Sequence, residues 1–488
     1  MNFSNTINYS GLCSFSPNST FLSIAKNTSL IIYSTSTLLI TQKFTFPNQI
    51  TQIEWSPDST LILISFFKNG LCEIRSVTNP NWICSINQSQ SGIIYSRWTP
   101  DSRKIIITND FNVRLSIWSL IDKSTIYING PKCEKKGISF SSNGYFMALA
   151  ERDNSKDYIG VYFTGDFSLV CRFNVDTFDL NDISWSKDNT SIVVWDSNLE
   201  CKFCIYSPTG NLIKVIQPYK YGLGIEDAKF SINYHYFLIG FNDGNIRIYN
   251  SITWNFVSEL NHNINILQED SFVNVFKEEE IKGKNKFSKY KEGTFPFKLS
   301  NVNFKGIGTI SQIECSFDSK LIASRNDSIP NAVFIWEINS LKLNTVIVHI
   351  KNVKDFKWSP KENILIIVTE NEKCYVFSLY NVYLVELISD SQKAFQANYI
   401  KWNNDGESFI ISDKKQMIIG HPLKQGNNQN LNNEDDNEDF NNENENYNEN
   451  INNSNINNIN QDFNDENEEE PEKEDEIPKP LNISNNKK

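Results

Sequence analysis

Two short charged segments hold the residue types from which a polar recognition site is built. Glu151, Arg152, Asp153, Lys156 and Asp157 lie within one stretch of seven residues, and Arg325, Asn326, Asp327, Pro330 and Asn331 lie within another. Carboxylates set beside guanidinium groups form strong, directional hydrogen bonds. Such groups can hold a protein partner, or they can hold the loop itself together. The sequence leaves both roles open. Other chemistry finds little support. The four histidines (His235, His262, His349, His421) are scattered without metal-ligand spacing, so each reads as a surface or strand histidine. Cys201-Lys202-Phe203-Cys204 has the spacing of a redox pair, yet on a strand residues i and i+3 face opposite ways and their sulfurs cannot meet. There is no Gly-x-Ser-x-Gly elbow, no His-Glu-x-x-His and no Gly-rich phosphate loop. No catalytic, cofactor-binding or metal-binding residues are expected, and no small-molecule substrate.

The elements that position the charged segments come from a repeat. An aromatic (once Cys), then Ser, Thr or Asn, then a turn, recurs at Phe15, Trp55, Trp98, Phe140, Trp185, Phe230, Cys315, Trp358 and Trp402. The spacings are 40, 43, 42, 45, 45, 85, 43 and 44 residues. A period of about 40–45 belongs to a four-stranded propeller blade, and the 85 is one period plus an insertion of roughly 40 residues. Each unit repeats one strand grammar. An apolar strand runs into the aromatic, a Pro-Asp type turn follows, and a second apolar strand ends at a tight hairpin such as Asn69-Gly70 or Asp243-Gly244. A third strand ends where a WD dipeptide would stand, as in Ile117-Trp118-Ser119 and Ile335-Trp336-Glu337. The terminal Asp is absent, so the repeats are degenerate. The fold expected is all-β, a WD40-type β-propeller of 7–9 blades over residues 1–424, with nine units counted. Nine exceeds the usual upper count of about eight, so either one unit is irregular or the ring is wide. Closure is expected between residues 2–8 and the unit around Ile410 to Ile419. Both charged segments fall between the second and third strands of their units, on one rim, where loops usually dock partners.

Residues 262–304 interrupt the sixth-to-seventh connection. Lys282, Lys284, Lys286, Lys289 and Lys291 cluster there around Phe287 and Tyr290. Charge runs are usually solvated loops, and the sharper reading is a contact for an acidic partner. Phe272 to Phe276 and Phe295-Pro296-Phe297 have the character of short strands. From Gln425 to Lys488, Asn, Glu and Asp dominate. That tail holds 18 acidic residues and four lysines, a charge of −14; the whole chain carries −12, which leaves +2 on residues 1–424. Such a tail has the signature of disorder, and the near-neutral remainder lacks the basic face that nucleic acid requires. No secretory signal and no membrane-spanning run is present. A cytoplasmic protein with its nine cysteines reduced is the expectation.

Particular stretches carry a more specific likeness. Gln52-Ile53-Glu54-Trp55-Ser56, Met147 to Arg152 continuing to Lys156-Asp157-Tyr158, Val194-Trp195-Asp196, Leu223-Gly224-Ile225, and Arg325-Asn326-Asp327 with Ile329-Pro330-Asn331-Ala332-Val333 are among them. Through these, residues 1–420 resemble the WD-repeat protein eight family of centrosomal and spindle-pole WD40 proteins, and the interruption after the sixth unit matches as well. The acidic tail departs from the family. The resemblance implies a non-catalytic scaffold at the centrosome or spindle pole that helps anchor microtubule minus ends in mitosis. Its implied partners are a coiled-coil spindle-pole anchoring protein and, in some fungi, a minus-end-directed kinesin; ciliated cells link the family to cilium assembly. Two other readings compete. One is a generic WD40 adaptor, such as a ubiquitin-ligase receptor or a translation-initiation scaffold. The other is an enzyme, which would need an acid, base or metal set converging in the central channel.

Overall fold

A computed structural model describes residues 1–422 except 221, 263–264, 267–272, 282–283, 290–296, 299–307, 379–380 and 388–394. The expectation of a disordered tail at 425–488 lies outside the described residues, as do Lys282, Lys291 and Tyr290. Among the described residues there is no α-helix, and nine antiparallel blades follow one another along the chain. Eight are built in sequence order from four strands: residues 13–45, 52–87, 95–129, 138–174, 180–216, 225–261, 310–348 and 355–386. The ninth has Tyr399–Trp402, Phe409–Ser412 and Gln416–His421, and takes its outer strand from the start of the chain. Asn2 lies opposite His421, Phe3 opposite Gly420 and Ile7 opposite Met417. All nine repeat units are therefore regular, and the ring is wide. Closure falls where the sequence placed it, because an unpaired strand edge on the last blade must be covered.

Burial explains the grammar. Second and third strands are apolar on both faces because a blade packs against neighbours on each side. Leu22, Ile62, Ile105, Met147, Ile192, Phe237, Ile322, Leu365 and Phe409 are all buried at matching places on the second strands. The repeated aromatic does more than fill space. The indole Nε1–H of Trp98 donates to Glu54 O at 3.2 Å, that of Trp358 to Glu314 O at 3.2 Å, and that of Trp402 to Lys357 O at 3.1 Å. Each bond ties one inner strand to the preceding blade. The Ser-x-Asp turn is a second stitch. Ser56 Oγ donates to Asp58 and accepts Leu61 N–H, and Asp58 N–H reaches Ser102 Oγ of the next blade at 3.0 Å. Ser102 stands at φ +58°, the left-handed geometry that closes the turn.

The interruption differs from its expectation as a solvated loop. Asn274–Ile281 and Lys284–Lys289 form an antiparallel pair, and the first of these strands lies parallel to Lys342–Val348 on the outer edge of blade 7. Blade 7 thereby has six strands. Val273 and Val275 are buried in its core and Phe276 is buried too, so the short apolar run inside the charged stretch decides the outcome.

Candidate partner-binding surface

The segment 151–157 is not an extended loop. Phe146–Asp153 and Lys156–Phe163 are long strands closed by Asn154 and Ser155 at φ +48° and +63°, a two-residue turn that suits strand twist. The two strands simply run further than in other blades. Glu151 is buried, and its carboxylate accepts the Tyr162 hydroxyl and Arg172 Nε, the latter at 2.7 Å. Asp157 is buried at the centre of a cluster drawn from three places in the chain. It accepts Arg152 Nε at 2.9 Å, Lys132 Nζ at 2.6 Å and Leu180 N–H at 2.8 Å. Asp179 accepts the same two cations, at 2.7 Å from Arg152 and 2.8 Å from Lys132. Burial alone would raise the Asp157 carboxyl, but Arg152 and Lys132 hold it below the usual range. Lys132 and Arg152 likewise hold Asp179 low. Asp153 and Lys156 face solvent at the hairpin tip, Asp153 being 3.7 Å from Arg172.

The segment 325–331 is also tied inward. Arg325 donates to Ser311 Oγ at 3.0 Å and to the carbonyls of Val353 and Lys354 at 3.1 and 2.9 Å, bridging blade 7 to blade 8. Asn326 is buried and accepts Ser328 N–H; Asp327 is exposed and accepts Ser311 Oγ at 2.6 Å. Pro330 O accepts Val353 N–H at 2.8 Å, and Asn331 Nδ2 donates to His349 O at 3.1 Å. The structure therefore separates the predicted residues. Glu151, Asp157, Arg325, Asn326, Pro330 and Asn331 hold the loops in place. Arg152, Asp153, Lys156 and Asp327 remain open to solvent at least in part. The cluster's other members, Lys132 and Asp179, were missed, because they lie 25 and 22 residues from Asp157 and no local pattern joins them to it.

The channel is lined by polar side chains that serve the ring. Inner strands leave one edge unpaired, and the neighbouring blade caps it. Glu54 accepts Trp98 N–H at 3.4 Å, Asp227 accepts Ile313 N–H at 3.1 Å and Asp355 accepts Ile400 N–H at 3.0 Å. Lys229 lies between Asp227 and Glu314 at 3.2 Å from each, and Glu314 also pairs with Lys357. Among the described residues no group of three or more His, Cys, Asp or Glu side chains is placed to hold a metal. Cys201 and Cys204 are free thiols buried in two different clusters on opposite faces of their blade; only Cys204 lies on the strand Phe203–Tyr206, and Cys201 sits in the loop just before it. Two histidines differ from the expected surface or strand positions. His349 is a buried core residue and His262 is half-buried against Phe334 and Trp336; both are held neutral because burial pushes their pKa down to about 3.

A nine-bladed ring of stitched WD-type units, with charged and apolar loops on its rim, is a WD40 propeller of the protein-interaction scaffold class. Comparison gives the particular family. The chain is 34% identical over 447 residues to WD repeat-containing protein WRAP73 of Mus musculus, an alignment spanning 86% of this chain and 95% of that protein. The chain belongs to the family of that WD repeat-containing protein. It is also 21% identical over 300 residues to an uncharacterized WD repeat-containing protein of Schizosaccharomyces pombe, covering 60% of this chain and 61% of that one. No family model matches. Among solved structures, the C-terminal WD40 domain of Sif2 is similar at 13% identity with a TM-score of 0.48, over 86% of this chain and 99% of that domain.

Proposed function

We propose that this protein is a non-catalytic scaffold of the centrosome or spindle pole, helping anchor microtubule minus ends and organise the mitotic spindle. The observation that carries the reading is the match to a WD-repeat relative over 86% of this chain and 95% of that protein, joined to the resemblance of residues 1–420 to the centrosomal WD-repeat protein eight family. The partners would be proteins: a coiled-coil pole-anchoring protein and, in some lineages, a minus-end-directed kinesin. The channel carboxylates support a non-catalytic role, since they are spent on backbone N–H groups and lysines. Direct binding to the acidic microtubule lattice is not expected of a chain whose tail carries −14. The wide ring favours one alternative, a translation-initiation type adaptor, where large propellers also occur. Imaging decides between them. The endogenous protein should be tagged at its C-terminal end, because residues 2–8 are built into blade 9. Foci coincident with a spindle-pole marker through mitosis are expected; a diffuse or ribosome-associated signal would overturn the proposal.

A further inference from the structure

Three successive loops on the rim that carries the charged hairpin are zipped together by their backbones. Ser197 N–H donates to Asp179 O at 2.8 Å, and Gly224 N–H donates to Asn198 O at 2.7 Å. Next to each zipped residue stands a large apolar side chain that points into solvent: Phe178 is 73% exposed, Leu199 65% and Leu223 59%. The zip demands glycine at 224, because a Cβ there would sit 2.0 Å from Glu200 O. Asp179 anchors the row to the buried ion cluster through Lys132 and Arg152. Three apolar side chains are thus held at fixed separation on a rigid base, with their ordering cost met in the free protein. Exposed apolar groups gathered in this way mark interaction sites, and preorganised ones bind more tightly.

We infer that Phe178, Leu199 and Leu223 form a docking surface for an amphipathic helix of a partner protein whose apolar face is flanked by lysines or arginines. A helix fits because the zip uses the backbone groups at its centre. The N–H groups of Ser197, Gly224, Asp179 and Asn242 are satisfied within the rim, which breaks up the continuous edge that a partner strand needs and favours side chains brought on a backbone that satisfies itself. The flanking charge follows from what the surface leaves unpaired. Lys202 is held by Asp176 at 2.8 Å, and Lys132 and Arg152 are held by Asp157 and Asp179. Glu226, beside Leu223, is exposed and meets only the Asn198 amide; neither it nor Glu200 pairs with a cation among the described residues. This assignment rests on the scaffold reading, and gives it a site and a partner chemistry.

The test uses the full chain and two short fluorescent amphipathic peptides with identical leucine faces, one flanked by lysines and one by glutamates. Anisotropy at low salt should show the lysine-flanked peptide binding at least about tenfold more tightly. The acidic tail attracts that peptide too, so variants isolate the rim. Leu199→Ser with Leu223→Ser should weaken binding at least about tenfold with an unchanged circular dichroism spectrum, and Glu200→Lys with Glu226→Lys should reverse the peptide preference. Gly224→Ala retains all three apolar side chains while forcing the loops apart, and should lose binding similarly. Equal binding by wild type and the serine variant would overturn the surface. So would a dimer in sedimentation that the serine variant abolishes, since the occupant would then be a second copy. The two proposals fail separately: pole foci without rim-dependent binding leave the scaffold reading alone, and rim-dependent binding without pole foci leaves only the surface.

Discussion

At the scale of single residues, two carboxylates show how place sets charge. Asp157 is buried among Arg152, Lys132 and the Leu180 N–H. Replacing it with Asn leaves both cations without this acceptor, and breaking a buried pair from one side costs about 3 kcal/mol; chemical denaturation at pH 7 should show that loss. Its folded pKa is depressed, so its contribution is fully present above the unfolded carboxylate value near 4. The contribution disappears as pH falls through the folded value, and Asp157→Asn should approach the wild type in acid. Glu54 has the opposite sign. Burial pushes its carboxyl up to about 7, only partly opposed by Trp98 N–H and Arg97, and its Oε2 has no partner among the described residues. Between pH 4 and pH 7 the unfolded chain releases this proton before the folded one does, so stability falls as pH rises. Glu54→Gln should therefore match the wild type at pH 4 and exceed it at pH 8 by on the order of 2 kcal/mol. Equal midpoints at both pH values would refute the assignment.

At the scale of elements, one buried carboxylate adds to the apolar contacts that hold the strand pair inserted before blade 7. Glu278, on Asn274–Ile281, accepts Ile350 N–H at 2.9 Å and the Tyr375 hydroxyl at 3.0 Å. Tyr375 belongs to blade 8, and the neutral His349 ring packs against it at 4.4 Å. Glu278→Ala should speed amide exchange in 274–281 at least about tenfold, leaving blades 1 to 3 as they were. Exchange unchanged in that strand would show that its apolar contacts alone suffice. This element also marks where reading the sequence ends. The blades were legible because aromatic, hydroxyl and acid or amide recur at near-constant spacing, and at Trp55, Trp98, Trp358 and Trp402 the recurrence makes the same indole bond to the preceding blade. The inserted strand was only half legible: Val275 and Phe276 hinted at it, but its parallel partner lies some 70 residues away. The candidate site was legible as composition and not as geometry. Glu151 and Arg325 stood out as charges, whereas their partners Arg172, Ser311 and Val353 carry no shared pattern. Leu223-Gly224 stood out only through the family resemblance, and its grouping with Phe178 and Leu199 was not legible, because no sequence rule says that three loops will be zipped side by side.

At the scale of the whole molecule, the ring stands or falls as a closed circuit. Phe3 packs edge-on against Phe409 at 6.1 Å, and Tyr9 donates its hydroxyl to Asp413 O at 2.7 Å. Removing residues 1–8 strips the outer strand from blade 9, and thermal unfolding should begin at least about 10 °C lower. A midpoint within error of the full chain would mean that side-chain packing between blades 9 and 1 closes the ring unaided. The same closure sets a timetable for biosynthesis. Residues 2–8 leave the ribosome well before the strand they pair with, which follows more than 400 residues later. At ordinary elongation rates that interval is roughly 20 to 80 seconds. Throughout it the nascent chain displays two unpaired strand edges and a half-built ring, so each new copy depends on whatever shields those edges until its last blade emerges.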